Sequence, residues 1–199
     1  MTSSTSIARI KVVLDHVEPT VMRRLEVPLS LKLDRLHTVL QVALGWTNSH
    51  LYEFRIKDIR FGIPDPDWDG GTGPLDARKA TLRDILEDTG ARSFKYLYDF
   101  GDGWEHSIKI EKITPAIDET GYPQLLEASG RCPPEDVGGP WGYSEAREAL
   151  ADPNNERHKE IVEWWGGSIL DIDTVDITAI ETGLFKLSRR WIRKPRTKA

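Results

Sequence analysis

Residues 94–111 read FKYLYDFGDGWEHSIKIE, and the fold class follows from how this stretch turns. Two strand-like runs meet at Gly101-Asp102-Gly103, flanked by Phe100 and Trp104. A two-residue turn at Asp102-Gly103 would mix polar and apolar groups on both faces. A three-residue loop with Gly103 in the left-handed region pairs Phe100 with Trp104, Tyr98 with His106 and Tyr96 with Ile108. One face then carries Tyr96, Tyr98, Phe100, Trp104, His106, Ile108 and Ile110. The other carries Lys95, Asp99, Glu105, Ser107, Lys109 and Glu111, with Leu97 the exception. A sheet with one wet face requires that division, and a one-residue slip would destroy it. This register sends His106 inward among the aromatics, puts Asp99 on the polar face and leaves Asp102 in the loop.

Outward from this hairpin, residues 7–14 and 21–27 alternate as strands and form a first hairpin turning at 16–20. Arg23 interrupts the inner phase of the second run, which predicts an edge strand. Leu33, Leu36, Leu40 and Leu44 fall at helical spacing, and Gly45 is a natural stop. Residues 50–61 alternate as one strand, with His50 on its aromatic face. Residues 62–74 are a Pro/Gly loop. Its Asp65, Asp67 and Asp69 lack the distal Glu of a calcium loop and read as a solvated turn. Thr81 and Asp84 form a capping box ahead of a short helix that Gly90 ends. Residues 122–128 read as a further strand and 130–142 as a rigid loop. Helices follow at 143–150, 155–165 and 177–191. Trp104, Trp164, Trp165 and Trp191 fit core positions; Trp46, Trp68 and Trp141 fall in loops.

Strands dominate the first two-thirds and helices the last third. The expectation is an α+β fold: an antiparallel sheet with helices packed on one side and a helical C-terminal third. A doubly wound nucleotide fold, which needs alternating β-α units, is excluded. Residues 1–188 are read as one domain and 189–199 as a basic C-terminal tail.

The 199 residues are 39% hydrophobic and 30% charged, enough for a core and too apolar for disorder. No apolar run reaches the roughly 18 residues that a membrane span needs, and the N-terminus lacks a signal-peptide pattern. A lone Cys132 excludes an internal disulfide framework and a multi-cysteine zinc cage. A cytoplasmic bacterial protein is expected. The formal charge is −5, yet Arg189, Arg190, Arg193, Lys194, Arg196 and Lys198 are all cationic; without those six the body stands at −11. Such a tail suits nucleic-acid phosphates, though the plainer reading is a solvated helix end whose cations suit the helix dipole.

Five segments carry a family resemblance: LHTVLQVALGWTNSHLYEF (36–54), TLRDIL (81–86), YLYDFGDGWEHSIKIE (96–111), CPPEDVGGPWGY (132–143) and ADPNNERHKEIVEWWGG (151–167). In this order and spacing the chain resembles the plasmid pRiA4b ORF-3-like family, also labelled as an insertion-sequence passenger protein of TnpR type. The likeness runs from about Ile7 to about Leu187. It departs at Asp76-Ala77-Arg78, where the family tends to Asp-Glu-Arg, and at Ser168-Ile169-Leu170-Asp171, where it tends to Phe-Asp-Pro. The resemblance implies a compact α+β protein of bacterial or mobile-element origin, and it implies no reaction. The TnpR label implies no recombinase chemistry, because no serine here sits in an arginine-rich setting.

His50, Tyr98, Asp102, Trp104, His106, Cys132, Glu135 and Asp136 form a candidate pocket if the 132–139 loop folds onto the hairpin. His50, His106, Asp102 and Glu135 are the candidate metal ligands, since imidazole and carboxylate suit zinc or a similar ion. The plainer reading is a satisfied core histidine, ordinary turn chemistry at Asp102 and loop-capping acids. Cys132 before Pro133-Pro134 has no helix N-terminus to activate it. There is no Walker loop or dinucleotide fingerprint, and the sequence specifies no cofactor. The leading expectation is a non-enzymatic binding or accessory module whose partner is a protein, or nucleic acid through the tail. The alternative is a metal-assisted enzyme with its site at the hairpin and CPPED loop.

Overall fold

Alternation in the central run carries directly into the sheet. The computed structural model describes residues 6–65, 72–117, 121–165 and 173–191. Strand β7 (Trp104–Pro115) buries Trp104, His106, Ile108 and Ile110 and leaves the residues between them at least partly exposed. It pairs antiparallel with β6 (Ser93–Tyr98), setting Tyr98 opposite Trp104, Tyr96 opposite His106 and Phe94 opposite Ile108. The connecting loop is therefore 99–103, and the register stands two residues from the three-residue-loop expectation. A shift of two keeps side-chain parity. The inward set accordingly holds except for Phe100, which rides the loop at 54% exposure. Asp99 also leaves the polar face. It is buried at φ 57°, and its Oδ1 accepts from the backbone N–H groups of Gly101 (2.9 Å) and Asp102 (3.4 Å). A short acid that caps loop amides in this way tolerates the left-handed region. Its effect is to widen the turn.

Around this pair stand β1 (Ser6–Leu14), β2 (Met22–Pro28), β3 (Tyr52–Ile56), β4 (Ile59–Gly62), β5 (Leu75–Asp76) and β8 (Gln124–Ser129). The sheet order is β5-β4-β3-β6-β7-β1-β2-β8, antiparallel throughout except for the short β4–β5 pair. Two sequence expectations are corrected here. Residues 50–61 do not form one strand: 52–62 form a hairpin, β3–β4, turning at Lys57-Asp58 with Lys57 at φ 52°, and His50 lies in the loop ahead of it rather than on the strand face. And β2 is not an edge strand, since β8 covers it. Arg23 stays in phase with Leu25 and Val27 and points into the core, 2% exposed. Its Nε donates to the Ala43 carbonyl (2.7 Å), and its Nη1 donates to the carbonyls of Met22, Ser129 and Gly130. The charge is tolerated because its nitrogens find backbone acceptors.

Helix α1 (Leu33–Leu44) lays its leucine stripe against the inner face and stops at Gly45 (φ 86°), whose N–H returns to the Gln41 carbonyl. Helix α2 (Leu82–Thr89) starts at the reciprocal Thr81–Asp84 capping box and ends at Gly90. Helices α3 (Gly139–Ala151), α4 (His158–Trp165) and α5 (Ile177–Trp191) complete the α+β arrangement. Helix α3 begins four residues before the expected Tyr143, because Pro140 is preorganised for a first turn. Trp46 lies in the loop after α1 as expected and is buried there; Trp164, expected in the core, is exposed on α4, and Trp141, expected in a loop, is exposed in the first turn of α3. The outer sheet face is charged, with cross-strand pairs such as Arg9–Glu26 and Arg24–Glu111. No helix among the described residues is long and apolar enough to cross a membrane. Trp68, Asp67, Asp69 and 166–171 lie outside the described residues.

Candidate functional site

Three loops meet at the turn end of the central hairpin: the 46–51 connector after α1, the 99–103 hairpin loop and the CPPED segment before α3. Backbone approach shows how closely they meet. Gly139 sits at φ 70°, and a Cβ there would come within 2.2 Å of the Asp102 carbonyl oxygen. Asp102 Oδ2 also accepts from the Gly138 N–H at 3.2 Å. Trp46 Nε1 donates to the Pro133 carbonyl at 2.9 Å, and its ring lies against Tyr98 with centroids 5.0 Å apart. The proline loop is therefore pinned to the hairpin on two sides.

At this junction His50 Nε2 lies 3.1 Å from Asp136 Oδ1 and 3.5 Å from Asp99 Oδ2. The backbone N–H groups of Ser49 and His50 both donate to the Tyr98 hydroxyl, which fixes the segment carrying the imidazole. Asp99 spends Oδ1 on loop amides, so Oδ2 is left to face His50. Asp136, also left-handed at φ 61°, reaches in from the solvent side with its side chain 75% exposed. One ligand atom from each of the three residues lies within 4.8 Å of the others. Yet His50 Nε2 is a buried atom with no aligned hydrogen bond. The three groups thus converge on a point without satisfying one another.

Beside them, the Tyr98 hydroxyl donates to Glu135 Oε1 at 2.5 Å. The other oxygen of Glu135 accepts from the Thr47 N–H (3.0 Å) and Oγ1 (2.5 Å). Burial pushes the Glu135 carboxyl up, but these hydrogen bonds outweigh it and hold the group below its ordinary value. Burial first, and then the bond to Glu135, drive the Tyr98 hydroxyl well above its usual range. Glu135 is therefore an ionised carboxylate with its contacts taken, and it braces the loop rather than joining the cluster.

The candidates from sequence divide accordingly. His50 and Asp136 meet, with Tyr98, Glu135 and Asp102 supporting the loops around them. His106 does not join: it is fully buried, its Nδ1 lies 3.2 Å from the Tyr96 carbonyl, and its edge meets Trp46. Burial lowers its pKa to about 4, so it is neutral. Trp104 is a core residue. Cys132 is buried, and burial raises its thiol far above the reactive range despite Arg23 nearby. Arg189 and Arg190 belong to the last turn of α5; Arg193, Lys194, Arg196 and Lys198 lie outside the described residues.

Sequence reasoning missed Asp99, because parity assigned it outward, and a second polar network beneath α1. His37 Nδ1 is 2.7 Å from the Tyr96 hydroxyl, and Nε2 is 2.5 Å from Asn48 Oδ1. Gln41 bonds both the Tyr96 hydroxyl and the Asn48 N–H. His37 stacks on Tyr52 with centroids 3.7 Å apart. The available signal was polar residues at 37 and 41, one turn apart, flanking the leucine stripe.

Comparison with known proteins finds relatives of the whole chain. Residues 6–179 match a family model described as plasmid pRiA4b ORF-3-like protein. The chain is 59% identical over 193 residues to the uncharacterized protein y4hQ of Sinorhizobium fredii, covering 97% of this chain and 98% of that protein. A crystal structure of MM3350, a protein of unknown function from Methanosarcina mazei Go1, is similar with a TM-score of 0.77 and 29% identity, over 88% of this chain and 98% of that one.

Proposed function

The chain belongs to the plasmid pRiA4b ORF-3-like family, and on that premise we propose that it is a binding module that takes a divalent transition-metal ion at His50, Asp99 and Asp136. The observation that carries this reading is His50 Nε2 facing two carboxylate oxygens at 3.1 and 3.5 Å with no aligned hydrogen bond of its own. Ligands about 2.0–2.2 Å from a zinc-class ion lie about 3–3.5 Å apart, so little movement is required. One imidazole and two carboxylates suit zinc, manganese or iron better than a soft, thiolate-seeking ion. The exposed Asp136 side leaves coordination positions open, which is where a ligand of the protein attaches.

The test is metal content. Protein loaded with Zn2+ or Mn2+ and dialysed against buffer is expected to retain one ion per chain by elemental analysis. His50→Ala and Asp136→Asn are expected to bind at least about tenfold more weakly with unchanged thermal unfolding. Wild-type protein that retains no ion, or variants that retain it as well as wild type does, refutes the reading. The open positions also define a catalytic version, in which the ion activates water. Hydrolysis of an activated ester or phosphodiester that requires the loaded ion and His50 supports that version; loaded protein with no turnover leaves a binding module.

A further inference from the structure

The open face of the sheet, remote from the loop junction, carries a groove of about 610 Å3, within the roughly 300–1,000 Å3 of small-molecule sites. Lys11, Lys57, Lys95, Lys109 and Arg55 line it with Ser93 and Ser107, and no acidic residue does. Strand register sets these groups in rows. Ser93 on β6 stands opposite Lys109 on β7, which stands opposite Lys11 on β1. In the neighbouring row Arg55 faces Lys95, and Lys95 faces Ser107. Lys57, just past the end of β3, closes the first row. At about 4.8 Å between strands, that row spans about 14 Å.

The second row is already neutralised: Lys95 pairs with Asp15, and Arg55 with Glu53 and Glu105. The first row is not. Among the described residues Lys11, Lys57 and Lys109 have no carboxylate partner; Lys57 donates only to the Thr89 carbonyl. Lys11 directly opposite Lys109 is a like-charge cross-strand pair, which destabilises a sheet. A protein of net charge −5 thus concentrates uncompensated cations, with a hydroxyl between two of them, in one concave track.

We propose that this track binds a linear polyphosphate-bearing small molecule, whose successive phosphoryl groups lie along Lys11, Lys109, Ser93 and Lys57. Two features disfavour nucleic acid. The aromatic ring at the groove, Phe94, is buried and offers no stacking face for a base. Carboxylates flank the track along the strands, with Glu53 and Glu105 beyond the second row and Glu111 two residues past Lys109 on the other side, and Glu127 lies past Arg24 off the Lys11 end, so a duplex would lay phosphates over them.

The probe is inorganic tripolyphosphate, titrated by calorimetry at low and moderate salt into protein carrying His50→Ala. That background removes the proposed metal site, so the outcome is independent of the metal reading. Saturable, salt-weakened binding is expected, reduced at least about tenfold in Lys11→Gln/Lys109→Gln. The exposed Lys186→Gln, on α5, is the control and is expected to bind normally. Without ligand, Lys109→Gln is expected to melt about 1–3 °C higher, because the like-charge pair is gone. Absence of binding, an equal loss in Lys186→Gln, or tighter Lys11-dependent binding of a single-stranded oligonucleotide overturns the proposal.

Discussion

Replacing Arg23 with Met tests whether one buried guanidinium ties three parts of the fold together. Its four donations join the last turn of α1 at Ala43, its own strand at Met22, and the end of β8 at Ser129 and Gly130. Methionine keeps the length and apolar stem but supplies no donor. The Ala43 and Gly130 carbonyls then lose the side-chain donor that satisfies them, at about 1–3 kcal/mol for each buried group left unpaired. Relief from desolvating the charge offsets part of this; burial already depresses the Arg23 pKa. A net loss of roughly 3 kcal/mol follows. For a chain of this size that is a fall of roughly 6–12 °C in Tm. Arg23→Lys restores the charge but not the reach to both Ala43 and Gly130, so an intermediate loss is expected. Circular dichroism melts and urea unfolding at pH 7 supply the numbers. Because Gly130 leads into the CPPED segment, zinc affinity is expected to fall with stability. A Met variant as stable as wild type, or more stable, would show that the buried charge is a burden the fold merely tolerates, and the argument for a clamp would fail.

Gly139→Ala is expected to be far more damaging than Gly45→Ala. Both positions have positive φ, but a Cβ at 139 meets the Asp102 carbonyl at 2.2 Å while one at 45 meets nothing within 4 Å. Gly45→Ala should cost only about 1–2 kcal/mol of left-handed strain; equal losses in urea unfolding would mean that the loop is not held against the hairpin. The buried histidines set an acid limit on stability. Burial lowers both His37 and His106 to about 4, against 6.5 in the unfolded chain, so the unfolded state takes up protons first as pH falls. Their stabilisation is complete above about pH 6.5 and withdraws toward pH 4, by roughly 2–3 kcal/mol per group at pH 4.5. His106→Gln should therefore show a shallower loss of stability between pH 7 and 4.5 than wild type, and parallel curves would contradict the assignment.

The alternation in residues 94–111 determined by itself that the aromatic face turns inward, because side-chain parity is a property of the strand alone. The same local logic identified the α1 stripe, the Gly45 and Gly90 stops and the Thr81–Asp84 box, all of which involve near neighbours in sequence. The five segments named the family for the same reason, since a motif is read one residue after another. Where the hairpin turns was decided partly from outside it, since the Asp99 N–H donates to the Leu51 carbonyl at 2.9 Å. Asp99 caps two loop amides and shifts the pairing by two residues, and that depends on a side chain whose direction parity cannot supply. Arg23 looked like a flaw in a strand until tertiary folding brought carbonyls from two distant segments to it. The candidate site is tertiary in the same sense. His50, Asp99 and Asp136 come from three loops, at separations no spacing rule connects, and they meet because Gly139 lets the proline loop touch the hairpin.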